Sequence, residues 1–181
     1  HPPEYTISNE DYENILKIIR HEGCSYERTP EPFSKHDEEE LRDILMAHLN
    51  GHYHGLANGE VFRKKGKTDI CIEFENRAAF VAECKLWKGD QKLLEAVNQL
   101  LGYLTWRDSK TSLIVFDKDV AGFTKIQEKI PEVLKQHPNF VRDEKGKYSG
   151  EWQMTFRFSE DPDRMVIVHV FLFNLYVTEK E

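Results

Sequence analysis

The spacing of apolar residues changes twice along the chain, and these changes constrain the fold more than any other feature. Segments 60–63, 68–74 and 79–85 have the alternation of strands, with turns at 64–66 and 75–77. They predict a three-stranded meander. Residues 91–107 then have the spacing of a helix, and 112–116 is a short apolar run typical of a buried strand. A helix that connects strands of one sheet implies mixed pairing, so we expect an α/β or α+β fold with helices packed on a mixed sheet.

Helical spacing also precedes this central region. Ser8 can cap a first helix that stops at Gly23, and residues 37–49 predict a second helix with one apolar face, ended by Asn50-Gly51. The later segments are a helix over 123–136 that Pro131 breaks or bends, strands over 152–158 and 165–172, and a polar tail from Tyr176. We therefore expect a helical extension over residues 1–35 and one domain over 36–181, with extra strands within 139–178.

Composition narrows the class of protein. The chain has 181 residues, of which 39% are hydrophobic and 31% charged, which indicates a soluble globular chain and excludes disorder. No run approaches the roughly 18 apolar residues of a membrane span. Cys24, Cys71 and Cys84 are odd in number and lack a C-x-x-C spacing, which argues against a disulfide framework or structural zinc and favours the cytoplasm. Because the first residue is His1 and not Met, we expect a piece of a larger protein.

Charge is unevenly distributed around a net value of −7. Residues 1–60 are acidic, whereas residues 61–92 carry eight Lys and Arg against five Asp and Glu. The acidic balance argues against a large non-specific nucleic-acid surface, but it leaves room for a local one in the basic segment.

Two carboxylates and a lysine are predicted to converge on the second and third strands. Asp69 begins one strand, and side chains alternate along the next, so Glu83 and Lys85 share a face while Cys84 points into the core. Carboxylate oxygens are the ligands that Mg²⁺ prefers, and the ion usually takes only one or two of them together with substrate phosphate. A lysine beside such an ion can orient water or stabilise charge on the phosphate.

Three motifs in order resemble the PD-(D/E)XK nuclease superfamily, also called restriction endonuclease-like. They are Gly66-Lys67-Thr68-Asp69-Ile70, Glu83-Cys84-Lys85 and Gln99-Leu100-Leu101-Gly102-Tyr103. The third is similar to the Q-h-x-x-Y helix of the RecB-like and exonuclease branches. The resemblance covers about residues 36–116, and it departs from the family pattern at Thr68, where the family has proline.

The resemblance implies a role for each matched residue. Asp69 and Glu83 would bind Mg²⁺, for which Mn²⁺ can substitute, together with the Cys84 backbone carbonyl, and Lys85 would be catalytic. Gln99 and Tyr103 would support the site or touch the nucleic-acid backbone. Lys64, Lys65, Lys67 and Lys88 are candidate phosphate contacts, with solubilisation of a turn as the alternative.

Many members of the superfamily add a glutamate from the helix before the first strand. Asp37, Glu38, Glu39 and Glu40 compete for this place, and Glu60 is a further alternative. At about 100° per residue, Asp37 and Glu38 both flank the apolar arc centred on Leu41, whereas Glu40 lies further out and Glu39 lies opposite to it. We choose Glu38, although an acidic first turn favoured by the helix dipole explains the same residues.

The sequence therefore predicts a metal-dependent nuclease domain that hydrolyses phosphodiester bonds, with DNA favoured over RNA. We expect an effector domain of a larger bacterial defence or repair protein, which a fused or separate partner or a homodimer completes. The alternative is a non-catalytic nucleic-acid-binding or protein-binding module on the same fold.

Simpler interpretations of the same residues stay open. Asp69, Glu83 and Lys85 could be an ion pair at the edge of the sheet, and Gln99 and Tyr103 could pair on a helix without chemistry. His52 and His54 suggest zinc, but without a visible third ligand a solvated loop is favoured. Trp87 and Trp106 are interpreted as packing residues and not as base-stacking platforms.

Overall fold

The chain forms a six-stranded mixed sheet with helices on both faces, in a computed structural model that describes residues 6–53, 61–74, 78–144 and 148–178. The helices are α1 Asn9–Arg28, α2 Pro30–Ser34, α3 Glu38–His52, α4 Asp90–Tyr103 and α5 Phe123–Lys135. The strands are β1 Asp69–Glu73, β2 Ala79–Leu86, β3 Lys110–Asp117, β4 Phe140–Glu144, β5 Glu151–Arg157 and β6 Met165–Asn174.

The pairing of the strands confirms the prediction of a mixed sheet. The spatial order is β1-β2-β3-β6-β5-β4. β1 is antiparallel to β2, while β2, β3 and β6 run parallel to one another. The helix α4 connects the parallel strands β2 and β3, as a parallel pair requires. The sheet continues through β5 and β4 in antiparallel pairing, so β6 lies in its middle.

The prediction that the meander begins with a strand over 60–63 is wrong for residues 61–63. Only Arg63 pairs there, through an isolated antiparallel bridge to Cys71. The Asn50 side chain instead receives the Phe62 N–H (2.5 Å) and donates to its carbonyl (2.9 Å), which satisfies the backbone without a neighbouring strand. Glu60 and the predicted turn at 75–77 lie outside the described residues.

Apolar side chains on both faces of the sheet are buried beneath helices. One core lies under α4 and α5 and includes Val81, Leu113 and Leu100. The other lies under α1 and α3 and includes Leu41 and Cys84. Neighbouring strand residues therefore point to opposite cores, which confirms the alternation predicted for β2 and the burial of the Cys84 side chain.

The start of α1 confirms the predicted Ser8 cap, whose hydroxyl accepts the Asp11 N–H (3.0 Å). The predicted end at Gly23 is wrong, because α1 continues to Arg28. Gly23 is a packing position: a Cβ there would lie 2.1 Å from Cζ of Phe173. The glycine allows α1 to approach β6 closely.

The other boundaries differ by up to one turn. α3 continues past Asn50-Gly51 to His52, α4 ends at Tyr103 and not at residue 107, and α5 runs through Pro131. β4 was not predicted as a separate strand. In the described parts of the chain, no helix is both long enough and apolar enough to cross a membrane.

Candidate active site

Asp69 and Glu83 form the last residue pair of the β1–β2 ladder, and both are fully buried. Beyond them the Cys84 N–H donates to the Thr68 carbonyl (2.8 Å), but Thr68 and Cys84 are not themselves a pair in the register. The Cys84 carbonyl thus lies at the open end of the ladder. Asp69 and Glu83, which are separated along the sequence, are therefore direct cross-strand neighbours.

The loop before β1 folds back onto the Asp69 carboxylate. Its two oxygens accept the N–H groups of Lys65 (3.3 Å) and Gly66. A Cβ on Gly66 would lie 2.8 Å from the Tyr103 hydroxyl and 3.2 Å from Oδ1 of Asp69. The absence of a side chain at Gly66 therefore lets the loop fit between the carboxylate of β1 and the tyrosine of α4.

The two oxygens of the Glu83 carboxylate differ in their hydrogen bonding to the described residues. Oε1 accepts the Thr68 hydroxyl and lies 3.7 Å from Nζ of Lys85. Oε2 is buried and has no hydrogen-bond partner among the described residues. Burial raises the pKa of Glu83 to about 7, against the Thr68 hydrogen bond and the Lys85 charge, while the charges of Asp69 and Glu38 raise it further.

This raised pKa predicts a pH-dependent stability in EDTA. The folded state retains the Glu83 proton at a pH where the unfolded chain, with a carboxyl pKa of 4.5, has lost it. The free energy of unfolding should therefore fall as pH rises from about 4.5 to about 7, by about 3 kcal/mol from this residue. Urea unfolding across this range should show the decline in the wild type and in Glu39→Gln, an exposed control, and a flatter profile in Glu83→Gln. An unchanged slope in Glu83→Gln would refute this origin.

Lys85 lies between carboxylates from two elements. Its Nζ is 3.6 Å from Oε1 of Glu38 and 3.7 Å from Oε1 of Glu83. Glu38 is the first residue of α3, and its Oε2 accepts the Leu86 N–H (2.8 Å). Among the four acidic candidates of this turn, Asp37 and Glu40 instead form the capping box, and Glu39 is exposed.

A cleft of about 430 Å³ opens over these residues. It is lined by Asp37, Glu38, Glu39, Lys67, Thr68, Lys85, Gln99 and Tyr103. Burial and the charges of the two buried carboxylates raise the pKa of Tyr103, so its hydroxyl is a hydrogen-bond donor at neutral pH. Lys88 is not among the lining residues and pairs with Asp119 (3.1 Å).

The residues at the end of the ladder fit a hard divalent cation. Asp69 and Glu83 supply two carboxylates, and no described residue gives the buried Oε2 of Glu83 the partner that a buried polar atom requires. Within residues 6–53, 61–74, 78–144 and 148–178, no three His, Cys, Asp or Glu side chains are grouped for a metal. Mg²⁺ needs only one or two protein carboxylates, so two suffice.

Two other predictions concern residues away from this cleft. His52 is the last residue of α3, so the predicted loop is wrong there, but its side chain is exposed to solvent as predicted, with Nε2 3.4 Å from Glu22. His54 lies outside the described residues. Trp87 is buried, which confirms its packing role. Trp106 is 47% exposed. Its ring is flanked by guanidinium groups of Arg107 (4.0 Å) and Arg164 (4.7 Å), so it is not a core residue.

Sequence reasoning missed the contribution of Arg42. This residue is 2% exposed, and its Nη1 donates to the Lys67 carbonyl (2.5 Å) and reaches the Gly66 carbonyl (3.5 Å). The signal was its spacing, since Arg42 follows Glu38 by four residues and therefore lies on the same side of α3.

Comparison of the chain with protein-family models, with curated proteins and with solved structures gives no match in any of the three. The interpretation of the site therefore depends on the geometry described above.

Proposed function

We propose that this site is a metal-dependent nuclease centre of the PD-(D/E)XK, restriction endonuclease-like class. One observation carries the proposal: two fully buried carboxylates, Asp69 and Glu83, are cross-strand neighbours beside the ammonium of Lys85 at a solvent-open cleft. Burying two carboxylates is costly, so their retention next to a cleft, whose lining includes their neighbours Thr68 and Lys85, is typical of a functional site.

The donor set favours Mg²⁺ or Mn²⁺ held by Asp69 and Glu83, with the Cys84 carbonyl as the further ligand that the resemblance implies. A bound divalent ion would polarise a phosphoryl oxygen and lower the pKa of a coordinated water. Lys85 would orient the attacking water or stabilise the charge that develops on the phosphate. Gln99 and Tyr103 line the cleft and would contact or position the phosphodiester backbone.

DNA is the proposed substrate, because the family that the motifs resemble mostly cuts DNA. Among the residues that the structure describes, two basic side chains line the cleft, Lys67 and Lys85, against three acidic ones, Asp37, Glu38 and Glu39. With so little positive charge, the domain would need a partner, or a second copy of itself, to hold the duplex. This supports a role as an effector domain of a larger bacterial defence or repair protein.

The test is cleavage of supercoiled plasmid, single-stranded DNA and RNA in Mg²⁺ or Mn²⁺, each with an EDTA control. The proposal predicts that at least one DNA substrate is cut and that EDTA abolishes the cleavage. Cutting of RNA alone would keep the nuclease class and refute the choice of DNA. Cleavage that persists in EDTA would refute the metal-dependent mechanism.

The alternative is a non-catalytic module that binds nucleic acid or protein. The acidic rim of the cleft, formed by Asp37 and Glu39, favours the protein-binding form of this module, because these side chains oppose a phosphate backbone. Such a module should bind a partner without metal and should show no stabilisation by Mn²⁺.

A further inference from the structure

The end of the β1–β2 ladder leaves backbone groups that a neighbouring strand no longer pairs. Alternate N–H groups of an edge point to the same neighbour, so the donor after Cys84 on this side of β2 is Leu86. Cys84 donates to Thr68, but the chain before β1 turns away, and the Leu86 N–H has no β1 carbonyl opposite to it. The separation of the strands at this point opens the cleft.

The Glu38 carboxylate supplies the acceptor that a continued β1 strand would have provided for Leu86. Its Oε2 accepts the Leu86 N–H at 2.8 Å, a distance typical of a charge-assisted hydrogen bond. Its Oε1 lies 3.6 Å from Nζ of Lys85. Both oxygens of this carboxylate are thus turned toward β2, one to its backbone and one to the lysine side chain.

Arg42 holds the other side of the opening, one helical turn later. Its Nη1 donates to the Lys67 carbonyl and reaches the Gly66 carbonyl, in the loop whose N–H groups bind Asp69. Its Nε pairs with Asp43 (2.7 Å). A buried guanidinium is stabilised only where such acceptors satisfy it, so the loop and the arginine hold each other in place.

We propose that Glu38 and Arg42, on one side of α3, hold the end of β2 and the loop before β1 at a fixed separation, so that the cleft between them stays open. We call this pair of residues the clamp. In this clamp Glu38 is a positioning residue for Lys85 and not a ligand of the metal, which differs from what the family resemblance implies. Arg42 is a positioning residue for the loop that closes on Asp69. The inference rests on the proposed function and assigns one helix to both halves of the site.

The test compares Glu38→Gln, which keeps an acceptor for Leu86, with Glu38→Ala, which does not. Mn²⁺ affinity measured by calorimetry should stay within about threefold of wild type in Glu38→Gln, whereas loss of a true ligand such as Asp69 should cost at least about tenfold. The cleavage rate at saturating Mn²⁺ should fall about tenfold or more in Glu38→Gln, because Lys85 loses one of its two carboxylate neighbours and keeps only Glu83.

Hydrogen exchange supplies a readout that needs no activity. The Leu86 amide should exchange at least about tenfold faster in Glu38→Ala than in wild type and keep its protection in Glu38→Gln. In Arg42→Lys, the Lys65 and Gly66 amides should exchange faster while the Leu86 amide does not. Glu39→Gln, on the same turn and exposed at the cleft, is the control for a general effect of charge.

The outcomes separate the two proposals. Equal losses of Mn²⁺ affinity in Glu38→Gln and Asp69→Asn would overturn the clamp and leave the nuclease proposal standing. Unchanged Leu86 exchange in Glu38→Ala would also overturn the clamp. A wild-type protein that binds no Mn²⁺ would overturn the nuclease proposal and, with it, the positioning role of Glu38.

Discussion

Replacement of Asp69 by asparagine is expected to abolish the stabilisation of this protein by Mn²⁺. Asparagine keeps the size of the side chain but has only one acceptor oxygen for the two N–H groups of Lys65 and Gly66, and it removes the negative charge that a divalent cation requires. At an ion concentration of about 100 times Kd, binding adds about 2.7 kcal/mol to the free energy of unfolding. For a chain of this length that corresponds to a rise in Tm of roughly 5–10 °C.

Thermal unfolding with and without Mn²⁺ measures this effect. Wild type should show the rise in Tm, Asp69→Asn should show none, and Asp119→Asn should behave as wild type because Asp119 is half-exposed and pairs with Lys88 on the surface. A rise of equal size in Asp69→Asn would place the bound ion elsewhere in the protein.

The second large effect is on stability and arises far from the cleft. In Gly23→Leu the new side chain would collide with the Phe173 ring, three of whose carbons lie within 2.4 Å of the Cβ position. The ring cannot retreat easily, because it stacks on Phe171 at 5.5 Å and contacts Phe116 at 6.0 Å. We expect a loss of at least about 3 kcal/mol in the free energy of unfolding.

Gly51→Ala is the matched control for this substitution. Gly51 is also helical, but a Cβ there meets no atom within 4 Å. Alanine in a helix is favoured over glycine by about 0.5–1 kcal/mol, so this variant should be slightly more stable than wild type. The free energy of unfolding of both variants, measured in urea, separates the effect of the collision from that of helix propensity. A Gly23→Leu protein as stable as wild type would refute the close approach of α1 and β6.

Local patterns predicted the parts of the site that depend on one strand. The two-residue alternation of β2 was enough to place Glu83 and Lys85 on one face and Cys84 in the opposite core. The helical period of α3 likewise placed Glu38, together with Asp37, beside the apolar arc, and the structure brings Glu38 next to Lys85.

Other features of the fold and the site depend on tertiary contacts, which these local patterns do not encode. Its residue type made Gly23 a predicted helix end, but the structure places it within α1, where the Phe173 ring, 150 residues away in sequence, leaves no room for a side chain. The position of β6 between β3 and β5 depends on strand pairing, which periodicity does not encode. The spacing from Glu38 could place Arg42 on the same side of α3, but its hydrogen bonds to backbone carbonyls could not be predicted, because carbonyl positions carry no sequence signature.

The central claim is that Lys85 serves a metal-dependent phosphodiester hydrolysis. The measurement that tests it most directly is the initial rate of plasmid nicking in Mn²⁺ by wild type, Lys85→Ala and Lys88→Ala, with the last as a lysine three residues away that pairs on the surface with Asp119. We predict a loss of about 10²–10³-fold in Lys85→Ala and a change of less than about twofold in Lys88→Ala. Equal rates in the two variants, or a wild-type rate no higher in Mn²⁺ than in EDTA, would contradict the account.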